Sequence, residues 1–307
     1  MSLRFTLRQL EYFVAVGLEG SILHASQKIN VSSPSISVAI AQLETELGIK
    51  LFARKHAHNL SLTQAGRQFM VQARRVLQEA EAVNRLANTI SGSVQGPLNV
   101  GCLLTFAQLV LPRLRRQFEE EYPLVKICQS ELDQIAIFDQ LRCAQIDIAL
   151  TYDLSIPKDI TFIPIAELPP YAMLSETHPL AHLSVVSAVE LQKHPMVLLD
   201  LPYSSDYFMS YFKRVGASPK VVEKTRDMAV LQSLVANGFG YSIVNTRTRN
   251  DAAPDGSPLK FIPLAEPIRP MLLGVALIKE MANVLVVKAF TEHCEKNVTN
   301  SGLLGDP

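Results

Sequence analysis

Apolar residues recur at helical spacing from the start of the chain to Leu62. The first stripe consists of Leu7, Leu10, Phe13 and Val14. A second stripe, which follows the short segment Asn30-Val31-Ser32, consists of Ile36, Ile40, Leu43 and Leu47. Apolar residues three or four positions apart lie on one face of an α-helix. The pattern therefore predicts helices that are joined by a tight turn.

The start of the later predicted helix contains four serines and a proline between Ser32 and Ser37. Ser32 or Ser33 is expected to cap this helix, because a serine hydroxyl accepts a hydrogen bond from a free amide of the first turn. Pro34 suits that turn, since it lacks an N–H that would be unsatisfied there. Ser33, Ser35 and Ser37 are expected near the helix N-terminus, where side chains face phosphates or base edges. The alternative role for each serine is simple capping.

A short hairpin is predicted next, with strands at Leu51–Arg54 and Leu60–Leu62. The residues near its tip that are expected to contact DNA are Arg54, Lys55 and His56. A cationic tip suits the negative potential of a DNA minor groove, although the alternative is a solvated turn. His56 and His58 are too few ligands for a metal site, so no metal and no cofactor is expected.

A long helix is predicted from Thr63 to Ile90, because no glycine or proline follows Gly66 in this stretch. Its apolar residues alternate at spacings of four and three, at Phe69, Ala73, Val76, Ala80, Val83 and Ala87. This spacing is typical of a coiled-coil seam, so these residues are expected to mediate dimerisation. The alternative is an amphipathic helix that packs on its own domain. Residues 91–97 are expected to form a flexible hinge.

From Leu98 onward, short apolar strands alternate with longer helices. Strands are predicted at 98–101, 125–128, 146–150, 196–199, 220–222 and 241–244. Helices are predicted at 107–122, 135–142, 205–215 and 228–236. Such alternation indicates βαβ units and parallel sheets. Polar connections that contain proline interrupt this region near 167–170 and 265–267.

Composition adds one local asymmetry. The 307 residues include 29 basic and 29 acidic side chains, so the formal net charge is zero. Residues 1–90, however, hold ten basic and six acidic residues. A basic terminal module attached to an acidic remainder favours nucleic-acid binding by that module.

The chain shows no signal-peptide pattern and no apolar run of membrane-spanning length. Its cysteines follow no pairing or metal-binding pattern and lie at Cys102, Cys128, Cys143 and Cys294. A cytoplasmic protein with reduced thiols and no membrane partner is therefore expected. No Gly-x-Ser-x-Gly or His-Glu-x-x-His motif occurs, so we do not expect an enzyme.

The pattern of residues 1–66 resembles the winged helix-turn-helix of LysR-type transcriptional regulators. The likeness is carried by Ser21, Ala25, Ile29, Ser33-Pro34, Ser37, Leu43-Glu44, Leu47-Gly48, Leu51-Phe52, Leu62-Thr63 and Ala65-Gly66. This sequence departs from the family pattern at Ser33, where the family often has glutamine, and at Val38, where a basic residue is common. Ser26 follows Ala25 where the family usually has a second alanine. These changes remove base-reading side chains while leaving the expected fold unchanged.

The resemblance implies an α/β protein that contains an N-terminal all-α winged helix-turn-helix, a long linker helix and a two-lobed α/β domain of the type-2 periplasmic-binding-protein-like kind. The implied segments are the DNA-binding domain 1–62, linker helix 63–90, hinge 91–97, effector-binding domain 98–296 and tail 297–307. Within the effector-binding domain, the first lobe is expected at about 98–166 and 267–296, and the second at about 167–266. The implied partners are double-stranded operator DNA and further copies of the chain, arranged as a dimer of dimers.

Small molecules bind beyond the carboxyl ends of strands in open α/β sheets, close to helix N-termini. The residues expected at such places, or at positions that line the cleft in related regulators, are Thr105, Gln134, Pro202, Tyr203, Ser204 and Asn245. They favour a small polar metabolite, with an anion as the preferred kind, although each also fits a capping or structural role. The alternative functions are a solute-binding protein of a transport system and an α/β enzyme.

Overall fold

The computed structural model describes residues 4–56, 59–247 and 250–299. The chain forms two compact units, Met1–Ala87 and Asn88–Pro307. The elements that begin in the first unit are α1 (Leu7–Glu19), α2 (Ile22–Ile29), α3 (Ser33–Leu47), β1 (Phe52–His56), β2 (Asn59–Leu62) and α4 (Gln64–Ser91). Their order confirms the predicted winged helix-turn-helix followed by a long helix.

Local sequence signals determine where the first helices begin and end. Thr6 and Gln9 form a reciprocal capping box at the start of α1, and Gly20 ends that helix in the left-handed region with a φ of 64°. Ser21 caps α2, and Ser32 caps α3. The polar residues between the helices therefore determine the turns, while the apolar residues determine which faces pack.

Two apolar clusters hold the first unit together. One consists of the buried residues Leu10, Phe13, Leu43, Leu51, Met70 and Ala73. The other consists of the buried residues Tyr12, Val16, Ala25, Ile36 and Ile40. Burial of each large apolar side chain contributes about 1.5–3 kcal/mol, so the helical stripes seen in the sequence supply the core.

The second unit contains two lobes. The chain first builds β3 (Gly96–Leu103), α5 (Leu104–Glu121), β4 (Val125–Leu132), α6 (Gln134–Arg142), β5 (Ile148–Tyr152) and β6 (Ile160–Leu168). The second lobe follows with β7 (Tyr171–Ser175), α7 (Ala188–Leu191), β8 (Pro195–Leu199), α8 (Ser204–Arg214), β9 (Lys220–Thr225), α9 (Met228–Ala236), β10 (Ser242–Val244) and β11 (Leu259–Pro263). The chain then returns to the first lobe with β12 (Met271–Ile278), a 3-10 helix (Lys279–Asn283) and α10 (Leu285–Thr299).

The prediction of parallel sheets is correct for the pairs β3–β4, β3–β5 and β8–β9 and wrong for the pairs that involve β7 or β12, which are antiparallel. In the first lobe the strand order is β4-β3-β5-β12-β6, with β3 parallel to both neighbours and β12 antiparallel to both of its own. In the second lobe β7 runs antiparallel to β10 and β11, while β8 is parallel to β9. The reason is topological: the chain leaves the first lobe through β6 and returns beside it through β12, so these strands run in opposite directions.

The segment expected to be a flexible hinge has a defined path. β3 begins at Gly96, two residues earlier than predicted, where it pairs with Val125 of β4. The Gln95 side-chain amide donates to Asn88 Oδ1 over 3.0 Å, and the Ser93 amide donates to the Asn88 carbonyl over 3.0 Å. These bonds tie the short segment after α4 to the end of that helix.

Several elements were not predicted from the sequence, namely β6, β7, α7, β11, β12 and α10. β6 contains Pro164 and mixes half-buried with exposed residues, which obscures the strand pattern. β12 is a nearly continuous apolar run, which periodicity alone cannot distinguish from a buried helix. Among the residues that the structure describes, no helix is both long and apolar enough to cross a bilayer.

Candidate functional site

The start of α3 combines capping with contact between helices. The Ser32 hydroxyl accepts a hydrogen bond from the Ser35 amide over 3.3 Å, and Pro34 lies in the first turn as predicted. The Ser33 hydroxyl donates to Ser26 Oγ over 3.0 Å, and the Ser26 hydroxyl donates to the Leu23 carbonyl over 2.8 Å. Ser33 therefore fastens α3 to α2, which gives it a structural role that the sequence analysis did not assign. Ser32 caps the helix.

One face of α3 is exposed along the length of the helix. The exposed residues on it are Pro34, Ser35, Val38, Ala41, Gln42 and Thr45. Their spacing of three and four positions places them on a single stripe. Ser37 is also exposed and lies beside this stripe. None of these side chains carries a charge, so any phosphate-binding cation must come from another element.

Glu44 joins the opposite face of α3 to the hairpin. Its carboxylate is buried and accepts hydrogen bonds from the amides of Leu51, at 2.8 Å, and Phe52, at 3.2 Å. Lys50 Nζ donates to its other oxygen over 2.6 Å. Burial alone would raise the pKa of Glu44, but these hydrogen bonds outweigh burial and lower it. Glu44 thus determines where strand β1 begins relative to α3.

The hairpin itself forms as predicted at the level of the backbone. β1 and β2 are antiparallel, with Phe52 opposite Leu62 and Arg54 opposite Leu60. The side chains of Arg54, Lys55 and His56, and the whole of His58, lie outside the part of the chain that the structure describes. Their expected DNA contacts therefore stay predictions.

The predicted coiled-coil seam on α4 divides into two parts. Ala73 is buried in the core of the first unit, and Phe69 packs against that core with its ring 5.3 Å from the ring of Phe13. Val76 and Val83 are exposed, and Val83 has 66% of its surface accessible. The alternative of packing on its own domain is thus correct for the start of α4. The apolar face from Val76 onward stays a candidate for dimerisation.

Two effector-site candidates meet at the hydroxyl of Tyr152, the last residue of β5. Thr105 Oγ1 lies 3.0 Å from Tyr152 Oη, which donates to Asn245 Oδ1 over 3.2 Å. All three residues are buried, and burial raises the pKa of Tyr152 far above its usual range despite hydrogen bonds that lower it. The phenol has a single proton, which it donates to Asn245. The hydrogen bond between Thr105 and Tyr152 is therefore donated by the Thr105 hydroxyl. This hydrogen-bonded chain connects the first lobe to the second.

Gln134 lies beside this chain but uses its polar atoms within the first lobe. Its side-chain nitrogen donates to the carbonyls of Tyr152 and Leu154, both over 2.9 Å. Its oxygen accepts a hydrogen bond from the Thr151 hydroxyl over 2.9 Å. Gln134 therefore holds the carboxyl end of β5 in place, which favours a positioning role over the expected ligand contact.

The remaining candidates lie at the start of α8 in the second lobe. Ser204 is buried, and its amide donates to the Pro202 carbonyl over 2.7 Å. Tyr203 adopts a φ of 62°, which is unusual for a residue other than glycine and marks local strain. The hydrogen bonds described for Pro202, Tyr203 and Ser204 are local to this turn. Their place on the second lobe matches the prediction, while their role in ligand binding stays a proposal.

Sequence reasoning missed Tyr152 and a second connection between the lobes. Arg226 donates to Asp133 over 2.8 Å, which joins the segment before α9 to the segment before α6. Tyr152 is the last residue of a fully buried strand, so the rule that selected residues at carboxyl ends of strands also points to it. For Arg226, no pattern in the sequence indicates its partner.

Comparison with known proteins decides the family. Residues 7–67 match the model of the bacterial regulatory helix-turn-helix protein, lysR family, and residues 91–299 match the LysR substrate binding domain. This chain belongs to the LysR family. It is a LysR-type DNA-binding transcriptional regulator with an effector-binding domain.

The similar proteins are transcriptional regulators, and the similarity covers most of each chain. The HTH-type transcriptional regulator BsdA of Bacillus subtilis is 30% identical over 241 residues, which cover 78% of this chain and 83% of BsdA. HinK, a LysR family transcriptional regulator of Pseudomonas aeruginosa, is 31% identical, with a TM-score of 0.65 and coverage of 96% of this chain and 99% of HinK. CbnR, at 22% identity with a TM-score of 0.68, shares the fold over 98% of this chain and 100% of its own. The likenesses to BsdA and HinK exclude the transport solute-binding protein and favour a regulator over an enzyme.

Proposed function

We propose that this LysR-type regulator binds operator DNA through α3 and the β1–β2 hairpin, as a dimer of dimers in the cytoplasm. A small polar metabolite, preferably an anion, controls its activity from the cleft between the two lobes of the second unit. The basic excess in residues 1–90 and the exposed face of α3 support the DNA-binding part of this proposal.

The observation that best supports the proposed effector site is the hydrogen-bonded chain from Thr105 through Tyr152 to Asn245. These groups satisfy one another across the lobes without a ligand. A ligand with hydroxyl, carboxylate or amide groups can replace Tyr152 as the partner of Thr105 and Asn245. Such replacement shifts the equilibrium between arrangements of the two lobes. This shift couples effector binding to DNA binding.

A nuclease footprint on DNA upstream of the protein's own gene tests the first part. We expect the purified protein to protect several helical turns around a two-fold symmetric site. Absence of protection at low salt, on this DNA and on random fragments, would contradict the assignment of α3 and the hairpin as the DNA-binding surface.

The Thr105→Val variant tests the effector site. Calorimetry with a panel of polar metabolites identifies a ligand of the wild-type protein, and we expect the variant to bind it about tenfold more weakly with unchanged operator affinity, since one hydrogen bond is lost. Thr291→Val is the matched control, because Thr291 is also a buried helical threonine but bonds to the Val287 carbonyl in α10. Equal loss of ligand binding in both variants would contradict the site.

A further inference from the structure

The exposed face of α3 has a chemical character that limits which bases it can read. Residues 33–47 contain no lysine or arginine, the side chains that recognise guanine through O6 and N7. The acidic residues that accept from cytosine N4 are Glu44, which is buried on the other face, and Glu46 near the end of the helix. The middle of the exposed face therefore lacks the charged groups that select a G·C pair, and its hydroxyl groups do not discriminate between base pairs.

Val38 lies at the centre of this face and is 57% exposed. It is one helical turn from both Ser35 and Ala41, and four residues from Gln42. An exposed valine contributes little to the core of its own unit, whose clusters use Ile36, Ile40 and Leu43 from this helix. Its isopropyl group is therefore available to a partner.

The base edge that matches an exposed apolar group in the major groove is the C5-methyl of thymine. Gln42 matches adenine, since its amide can bond to N6 and N7 at the same time. The two residues are about 6 Å apart along the helix axis, and successive base pairs are about 3.4 Å apart, so they can reach base pairs that are one or two steps apart. Both side chains favour A·T pairs.

We propose that Val38 reads a thymine methyl group and that Gln42 reads a nearby adenine, so that the centre of each operator half-site is selected as A·T. This inference rests on the proposed DNA binding by α3. It names the specificity-determining residues of that surface.

The test begins with selection of preferred sites from random DNA by the full-length protein. Each thymine of the selected half-site is then replaced by uracil, which lacks the C5-methyl, and affinity is measured by fluorescence anisotropy. We expect uracil at one or two positions to weaken wild-type binding about fourfold, the value for one methyl-sized group removed from contact. For Val38→Ala, the same replacement is expected to change affinity less than about twofold.

Two further variants sharpen the result. Gln42→Ala should keep the uracil effect but lose about tenfold of its preference for adenine over guanine at one position. Val38→Arg should shift the preferred base from thymine to guanine and steepen the salt dependence by about one phosphate contact. Val189→Ala, a half-exposed valine of α7 in the second unit, is the control and should match the wild type.

The outcomes distinguish a failure of this inference from a failure of the proposed function. If selection yields no preferred sequence, DNA recognition itself fails. If a sequence is selected but uracil has no effect, or has the same effect on Val38→Ala as on the wild type, the thymine contact is overturned. A change in sedimentation of Val38→Ala with an unaltered uracil effect would identify the face as an interface between copies and overturn it as well.

Discussion

At the scale of single residues, Glu44 shows how one carboxylate positions the hairpin. Replacement by alanine leaves the amides of Leu51 and Phe52 without their acceptor in a buried place, which costs about 1–3 kcal/mol. We expect hydrogen exchange at these two amides to become faster in Glu44→Ala. Glu44→Gln keeps an oxygen acceptor and is the matched control, with a smaller effect. Equal exchange in all three proteins would contradict the role of Glu44.

The lowered pKa of Glu44 also predicts a pH dependence. The folded value lies below the ordinary value of 4.5, so the stabilisation is complete above that value and is lost as the pH falls through the folded pKa. We expect protection of the Leu51 and Phe52 amides in the wild type to decrease on acidification below about pH 4.5. Because a glutamine does not titrate, Glu44→Gln should lack this decrease. A decrease of the same size in the variant would assign it to other groups.

Some residue roles could be read from the sequence, and others could not. Capping by Ser32 and the place of Pro34 follow from neighbours in the chain, so local rules were sufficient. Ser33, Glu44 and Tyr152 act through partners that are distant in sequence or on another element, and these pairings exist only in the folded protein. The sequence therefore selected Thr105 and Asn245, which both bond to Tyr152, but not the tyrosine between them, and their contact with an effector stays a prediction.

At the scale of elements, the first turn of α4 packs against the backbone just before β1, and this close approach requires a glycine. A Cβ on Gly66 would lie 2.1 Å from the Leu51 carbonyl oxygen, so the backbone would have to move. We expect Gly66→Ala to lower the free energy of unfolding by about 2 kcal/mol or more, as overpacking does. Gly17→Ala is the matched control, because its Cβ would meet the flexible end of Met70. Denaturant unfolding measures both, and a larger loss for Gly17→Ala would contradict the argument.

The elements that the sequence predicted correctly have one strong periodic pattern and clear ends. The long helix was predicted from Thr63 to Ile90 and is observed at Gln64–Ser91. Strands such as β6 and β12 were missed because burial on both faces, or mixed burial with a proline, removes the alternation that identifies a strand. Their antiparallel pairing depends on how the chain crosses between lobes, which a local pattern does not contain.

At the scale of the whole molecule, assembly is expected to depend on the exposed part of α4. The exposed members of the seam include Val76 and Val83, and exposed apolar groups at heptad spacing are stable when a second helix covers them. The start of the helix has no such need, since Phe69 and Ala73 pack within their own unit. A dimer should therefore be sensitive to charge in the second half of the helix.

The variant Val83→Asp tests this expectation, because two carboxylates at a helix–helix seam lose solvation and repel each other. We expect its sedimentation to shift towards the 33.9 kDa monomer and its operator affinity to fall, since two half-sites would no longer be bound together. Val71→Asp is the matched control: Val71 lies on the same helix, is 58% exposed and falls outside the heptad seam. If both variants dissociate, α4 is sensitive to charge in general. If neither dissociates, the oligomer is held by other surfaces and the seam is not the dimer interface.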